Sequence, residues 1–304
     1  MKYPNTINRT PVQQSESAPE MYPATAPKCK LNQVYLSSEN RKEMDLCLAM
    51  IRNHDLIYNT WGLSQLESRG AGLVINFYGP PGTGKTKTAE ALAGELEKNL
   101  LEANYSRLVS QYQGQTGKNI EEVFASAARQ QAVLFFDEAD SLLSRRSEST
   151  GQAGAQDLNT AKSIMLRQMD KFDGVVIFAT NLFTNYDPAF CRRITWHIPF
   201  DLPCHEVRKG LWQYMISAKV PGRDTINFEA LAARSDGLSG GDMVNVIKQT
   251  LCRVSTKTPA ILTQEDIHAS ITSLRKARQA QQGIEERVLD GDEKSAVLRT
   301  FSNH

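Results

Sequence analysis

The octapeptide GPPGTGKT, residues 79–86, constrains the fold of this chain more than any other stretch. It follows the apolar run Leu73 to Phe77 and precedes a helical pattern that includes Ala89, Leu92 and Ala93. A glycine-rich turn between a buried strand and a helix brings backbone N–H groups and the positive end of a helix dipole to one point, where an anion can bind. A plain strand-to-helix turn explains the glycines but not the lysine and the threonine. The pattern therefore predicts a phosphate-binding loop.

Each part of this loop has a predicted role. Gly82 and Gly84 leave room for the backbone to approach phosphate oxygens. Lys85 is expected to reach the β- and γ-phosphates, and Thr86 is expected to bind magnesium. The predicted nucleotide-binding residues of the loop are Gly79, Pro80, Pro81, Gly82, Thr83, Gly84, Lys85 and Thr86.

Apolar runs and helical patterns alternate along the first two thirds of the chain. The predicted strands are Leu73 to Phe77, Leu100 to Asn104, Val133 to Phe136, Val175 to Ala179 and Thr195 to Pro199. Alternation of this kind is typical of an α/β fold with a parallel sheet covered by helices on both faces. After Pro203 the strand patterns cease, and Ser239-x-x-Asp242 and Thr263-x-x-Asp266 resemble capping boxes at helix starts. The sequence predicts a doubly wound, five-stranded parallel sheet followed by a small all-helical lid.

Composition supplies the expected boundaries and surroundings. Five of the twelve prolines fall in the first 27 residues, so we expect a flexible tail over 1–30. A large α/β domain is expected over 31–203, a helical lid over 204–280 and a C-terminal tail or helix over 281–304. No apolar run approaches the roughly 18 residues that span a bilayer, and no secretory signal is visible, so we expect a cytoplasmic protein. The net charge of +1 gives no support for a nucleic-acid partner, and five scattered cysteines are expected to be reduced thiols.

A second motif, VLFFDEAD, ends a predicted strand in two carboxylates. Ligands of doubly wound sheets bind at the carboxyl ends of strands, so Asp137 is expected to position magnesium and Glu138 to polarise an attacking water. The plainer interpretation is a solvated loop start. The letters DEAD also suggest a helicase, but the chain contains neither a Ser-Ala-Thr motif nor a second core half.

Two further features lie downstream. The strand VVIFATN ends at Asn181, which could contact a γ-phosphate or the attacking water, although an ordinary turn residue is the simpler explanation. Arg192 and Arg193 follow, and a solvated basic pair is the simpler explanation for them. An arginine supplied by a neighbouring subunit would complete the positive charge around a γ-phosphate. The sequence leaves the choice between the two arginines open.

Together these elements resemble the AAA+ ATPases, and within them the clade that remodels proteins. The resemblance covers about residues 55–280 and includes MDKFDGVVIFATN and the lid segment FEALAARSDGLSGGDMVNVI, with Gly241 in its short lid motif. The segment LIYNTWGL, with Tyr58 and Gly62, is similar to the one that borders adenine. The resemblance implies the AAA+ module, bound ATP and Mg²⁺, a homo-oligomeric and usually hexameric ring, and Arg192 and Arg193 acting across the subunit interface.

The same resemblance gives a role to the polar stretch SQYQGQTGKN. In these rings the loop after the second strand carries an aromatic residue and a glycine into the central pore, where they grip a protein client. Tyr112, Gln113 and Gly114 occupy those positions here, and residues 144–159 resemble a second pore-facing loop. A tyrosine packed at the domain edge and a solvated loop are the plainer alternatives.

These observations predict an ATP-driven ring that remodels or unfolds a protein by pulling it through the pore. Among compact single-ring members, the chain is most similar to bacterial relatives of pachytene-checkpoint ATPases, which remodel HORMA-domain proteins and accompany antiphage signalling systems. The alternatives are a DNA-acting or plasmid-partition ATPase and a scaffold that binds ATP without turnover.

Overall fold

The computed structural model describes residues 20–66, 72–104, 108, 115–145, 153–181 and 186–280. Five strands form a parallel sheet in the order β2-β3-β4-β1-β5. The strands are β1 Leu73–Tyr78, β2 Leu100–Asn104, β3 Val133–Asp137, β4 Val175–Thr180 and β5 Trp196–Pro199. The predicted α/β fold with a parallel five-stranded sheet is confirmed, and the carboxyl ends of β1, β3 and β4 lie side by side.

Ten α-helices lie within the described residues. They are α1 Ser38–Arg52, α2 Lys85–Glu95, α3 Gln115–Arg129, α4 Asp140–Leu143, α5 Ala153–Met169, α6 Pro188–Cys191, α7 His205–Met215, α8 Phe228–Arg234, α9 Gly240–Ser255 and α10 over residues 264–280. Among the described residues, none of these helices has the length and apolar character needed to cross a membrane.

The sheet is buried on both faces because alternate residues of each strand enter different cores. Val74 and Phe136 face the core that contains α3 and α5, whereas Ile75 and Phe135 face the core that contains α1 and α2. Side chains of a strand alternate between the two faces with a period of two, so a strand covered on both sides must be apolar throughout. This is why uninterrupted apolar runs marked the strands in the sequence.

A separate helical core follows β5. It is formed by α7 to α10 around the fully buried Trp212, whose indole N–H donates to Ser235 Oγ at 2.9 Å. Both predicted capping boxes are present: Ser239 and Asp242 exchange hydrogen bonds at the start of α9, and Thr263 and Asp266 do so before α10. The predicted helical lid is confirmed.

Residues 20–33, which we call the N-terminal strap, differ from the prediction of a flexible tail through residue 30. Thr25 forms an antiparallel bridge with Leu100 at the edge of the sheet, with both N–H to O distances 2.8 Å. Gln130, in the turn directly after α3, accepts from Ala24 N and donates to Tyr22 O, each at 2.8 Å. Gly94 on α2 allows close approach, since a β-carbon there would lie 2.4 Å from Cys29 O. The strap therefore holds the sheet edge, α2 and α3 together.

Candidate active site

The phosphate-binding loop connects β1 to α2, as predicted. Its backbone requires glycine at Gly79 and Gly82, where φ is 139° and 76°, in a region that side chains disfavour. A β-carbon on Gly79 would lie 2.3 Å from Phe200 O, and one on Gly82 would lie 2.6 Å from Ser239 Oγ in the lid. Thr83 Oγ1 donates to Pro80 O at 2.8 Å and so closes the turn. The loop leads into the N-terminus of α2, where backbone N–H groups can bind an anion.

Lys85 folds back over this loop. Its ammonium group donates to Gly79 O at 2.5 Å, Pro80 O at 3.0 Å and Asn181 Oδ1 at 3.0 Å. The residue is only 7% exposed, and burial lowers the pKa of the ammonium group, while Asp137 and Asp140 act in the opposite direction. A buried cation surrounded by exchangeable carbonyl contacts can turn towards a phosphate with little rearrangement.

Asp137 and Thr86 form an oxygen pair beside the loop. Thr86 Oγ1 donates to Asp137 Oδ2 at 3.1 Å. Magnesium takes one or two protein oxygens together with water and phosphate oxygens, so a hydroxyl and a carboxylate at this separation fit the predicted metal ligands.

Glu138 follows at the turn after β3. Its φ of 52° is unusual for a residue with a side chain, and such strain costs about 1–3 kcal/mol and is concentrated at functional sites. Asn104 Nδ2, at the end of β2, donates to Glu138 Oε2 at 3.4 Å. Sequence reasoning did not assign Asn104 to the site. The available signal was a polar residue at the carboxyl end of the strand next to β3.

Asn181 is also brought to this group. Its backbone N–H donates to Asp140 Oδ1 at 2.9 Å, while its side-chain oxygen accepts from Lys85. The structure thus brings Lys85, Thr86, Asp137, Glu138 and Asn181 together at the carboxyl ends of β1, β3 and β4.

The two arginines differ in their surroundings. Arg193 forms a bidentate ion pair with Asp170, with Nε to Oδ1 and Nη2 to Oδ2 both at 2.8 Å. The remaining guanidinium nitrogen of Arg193, Nη1, donates to Ala189 O at 3.0 Å. Arg192 is exposed. The structure therefore separates two neighbours that the sequence could not distinguish.

A cavity of about 700 Å³ contains the phosphate-binding loop, Asp137, Glu138 and Asn181 in its wall. Another part of the wall, which we call the apolar part, consists of side chains from the segment before α1 and from residues 202–215: Val34, Tyr35, Leu36, Leu202, Val207, Leu211 and Met215. Ligand pockets commonly join an apolar wall to a few polar groups. Gly241 also lines the cavity, and its N–H donates to Gly82 O at 2.8 Å.

Tyr58 and Gly62, predicted to border adenine, do not line this cavity. Tyr58 is buried and stacks on His54 with ring centroids 4.4 Å apart. Gly62 has a φ of 81° and begins a short 3-10 turn. The chain instead supplies Val34 to Ser37 at the cavity wall. The predicted pore residues Tyr112, Gln113 and Gly114 lie outside the described residues, as does much of the predicted second pore loop.

Comparison with known proteins adds an independent line of evidence. Residues 75–202 match the model of the ATPase family associated with various cellular activities (AAA). The 26S proteasome regulatory subunit 8 homolog of Schizosaccharomyces pombe is 28% identical over 240 residues, which cover 77% of this chain and 58% of that protein. A Cell division cycle protein 48 homolog of Archaeoglobus fulgidus is 35% identical over 58% of this chain and 24% of its own length. Spastin of Drosophila erecta is 31% identical over 70% of this chain and 30% of its own length.

Proposed function

We propose that the chain, whose residues 75–202 match the AAA ATPase family model, hydrolyses ATP and uses the energy to remodel a protein client as part of a ring. The observation that carries the proposal is the convergence of Lys85, Thr86, Asp137, Glu138 and Asn181 at one edge of the sheet. Phosphoryl transfer depends mainly on positioning and charge stabilisation, and this group supplies both.

The binding step uses Lys85 and the loop backbone. When a triphosphate enters, the ammonium group exchanges Gly79 O and Pro80 O for β- and γ-phosphate oxygens. Charge-assisted hydrogen bonds to phosphate are stronger than those to a carbonyl. Thr86 and Asp137 would hold Mg²⁺, which supplies positive charge between the phosphates when it is bound. The adenine base would occupy the apolar part of the cavity.

The hydrolytic step uses Glu138 as the group that polarises the attacking water. In the structure its carboxylate accepts a hydrogen bond from Asn104, 3.4 Å away, so we infer that Asn104 holds Glu138 away from the water until the γ-phosphate is bound. Asn181 contacts Lys85 directly. It is therefore placed to detect the movement of Lys85 that accompanies phosphate binding and release.

Completion of the site requires a neighbouring subunit. We assign the trans-acting role to Arg192, since Arg193 is already engaged by Asp170 within its own subunit. A bidentate pair must be broken before Arg193 can reach a phosphate, whereas the side chain of Arg192 lies exposed at the surface. The ring, which we propose to be hexameric, places this arginine at the neighbour's γ-phosphate.

The client is proposed to be a protein. The relatives are named as proteasome regulatory subunits, a cell division cycle protein and spastin, and the chain spans at most about three fifths of the length of these three relatives. Tyr112 would grip the client in the pore, with Gln113 and Gly114 shaping the loop. On the resemblance given above, a HORMA-domain protein of an antiphage signalling system is the first client to test.

A substrate-trap experiment tests this proposal. Glu138→Gln should retain ATP and hold its client, so the variant is incubated with ATP in native lysate and recovered alongside Glu138→Gln, Tyr112→Ala. We expect one protein partner with the single variant and its loss with the double variant. Glu138→Gln, Tyr112→Phe keeps an aromatic ring and serves as the matched control, which should capture the same partner. Recovery of nucleic acid, or of a partner indifferent to Tyr112, would contradict pore gripping and favour a DNA-acting ATPase.

A further inference from the structure

Tyr35, which lines the apolar part of the cavity, contacts Gly210 of the lid. A β-carbon built on Gly210 would lie 2.0 Å from the phenol oxygen of Tyr35 and 2.4 Å from its Cζ. Tyr35 precedes α1, whereas Gly210 lies in the middle of α7, the first helix of the lid. The absent side chain of Gly210 therefore makes a notch that receives the end of the Tyr35 ring.

Gly210 has no conformational reason to be glycine. It lies inside a regular helix, where glycine is less favourable than alanine because it loses more conformational freedom on folding. Its φ is not in the left-handed region. The contact with Tyr35 is thus the feature of the structure that accounts for a glycine at this position.

A second contact supports the same junction. Tyr214, one helical turn after Gly210, donates its phenol O–H to Gln33 O at 3.0 Å. Tyr35 remains 42% exposed and Tyr214 55% exposed, and both line the cavity. Two tyrosines therefore connect the segment before α1 to the lid helix, at the wall where the base would lie.

The lid also contacts the phosphate-binding loop, through the 2.8 Å hydrogen bond from Gly241 N to Gly82 O. The lid is thereby fixed at two parts of the cavity wall, one at the phosphate-binding loop and one in the apolar part. A nucleotide that fills the cavity would touch both.

We propose that Tyr35, seated in the notch at Gly210, is a specificity-determining residue that stacks on the base of the nucleotide and couples base binding to the position of the lid. This inference rests on the proposed nucleotide site. An aromatic ring offers a flat apolar face to a purine, and such stacking contributes measurably to binding. The notch holds the phenol end of the ring, so that the ring is oriented before the base arrives.

Filling the notch by the substitution Gly210→Ala tests the role of Tyr35 without changing Tyr35 itself. In Gly210→Ala the new methyl group displaces the end of the Tyr35 side chain from the notch, while the helix itself gains a better helix former. We expect a melting temperature equal to or above that of the wild type, together with a dissociation constant for ribose-labelled fluorescent ATP raised about fivefold or more. Tyr35→Ala should raise it similarly, and the double variant should be no worse than Tyr35→Ala because both changes remove the same contact.

Two controls separate base stacking from general damage. Tyr35→Phe keeps the ring and should bind within about twofold of the wild type, and Gln213→Ala changes an exposed residue of α7 outside the cavity and should bind like the wild type. Competition by inorganic tripolyphosphate should be unchanged in Tyr35→Ala, since the variant retains the phosphate-binding loop. Equal ATP affinity in Gly210→Ala, Tyr35→Ala and the wild type would overturn the inference, as would parallel weakening of tripolyphosphate. A wild type that binds neither ATP nor tripolyphosphate would refute the nucleotide site itself.

Discussion

Replacing Arg192 and Arg193 one at a time should give two different defects in adjacent residues. Arg193 shares two hydrogen bonds with Asp170, and the two side chains are 21% and 30% exposed. Hydrogen bonds to charged groups contribute about 1.5–3 kcal/mol, and partial exposure lowers the figure for this pair to about 1–2 kcal/mol. In a domain of this size Arg193→Ala should therefore lower the melting temperature by about 2–8 °C.

Arg192→Ala should lower the melting temperature less than Arg193→Ala does, because Arg192 is exposed. It should reduce ATP hydrolysis by about 10³ to 10⁵-fold, the range measured for trans-acting arginines. The assays are thermal melting and phosphate release at saturating ATP, with Asp170→Asn as the matched control that should reproduce the melting defect of Arg193→Ala. Mixing Arg192→Ala with Lys85→Ala should restore part of the activity, because some interfaces then combine an intact Lys85 with an intact Arg192. If Arg193→Ala melts like the wild type and is the inactive variant, or if mixing restores nothing, the assignment of Arg192 is refuted.

Three further predictions follow from contacts outside the candidate site. Lys162 is fully buried and donates to Ser144 O at 2.5 Å and Arg145 O at 3.2 Å. Lys162→Met should lower the free energy of unfolding by about 1–3 kcal/mol, because it leaves these carbonyl groups without a hydrogen bond. An unchanged denaturant midpoint would contradict this prediction. Burial raises the pKa of the Cys47 thiol to about 12, so Ellman's reagent should modify the exposed cysteines of the native protein and reach Cys47 only after unfolding. The hydrogen bond from Arg129 lowers the pKa of Glu20 from 4.5, so the stabilisation from this contact is complete above pH 4.5 and is lost as the pH falls through the lowered pKa. The stability difference between the wild type and Glu20→Gln, measured by denaturant titration, should therefore vanish on acidification. A difference that persists at low pH would argue against the contact.

The strands were predictable because each is buried on two faces. Every predicted strand matches an observed one to within one residue at each end, including β1 and β3, which carry the site. The positions of the loop and of the acid pair were also predictable, since each directly follows an apolar run that forms a strand. The chemical roles of these residues stay predictions. Local patterns were sufficient wherever the structural requirement itself was local.

Other features depend on contacts between residues far apart in the sequence. Residues 1–30 were predicted to be flexible because they are rich in proline and poor in apolar residues, yet within the strap Thr25 pairs with Leu100 and Ala24 with Gln130. The partner of Arg193, Asp170, lies 23 residues upstream, and no local pattern indicates the pair. Tyr58 was placed at the base by resemblance, whereas its stacking on His54 can be seen only in the structure.

The most direct test of the central claim compares ATP binding and phosphate release by the wild type and by Glu138→Gln under single-turnover conditions with Mg²⁺. The account predicts closely similar ATP affinity for the two proteins and a rate of phosphate release at least about 100-fold lower in the variant, the smaller end of what a positioned general base contributes. Equal rates in both proteins would show that Glu138 does not polarise the water and would contradict the account.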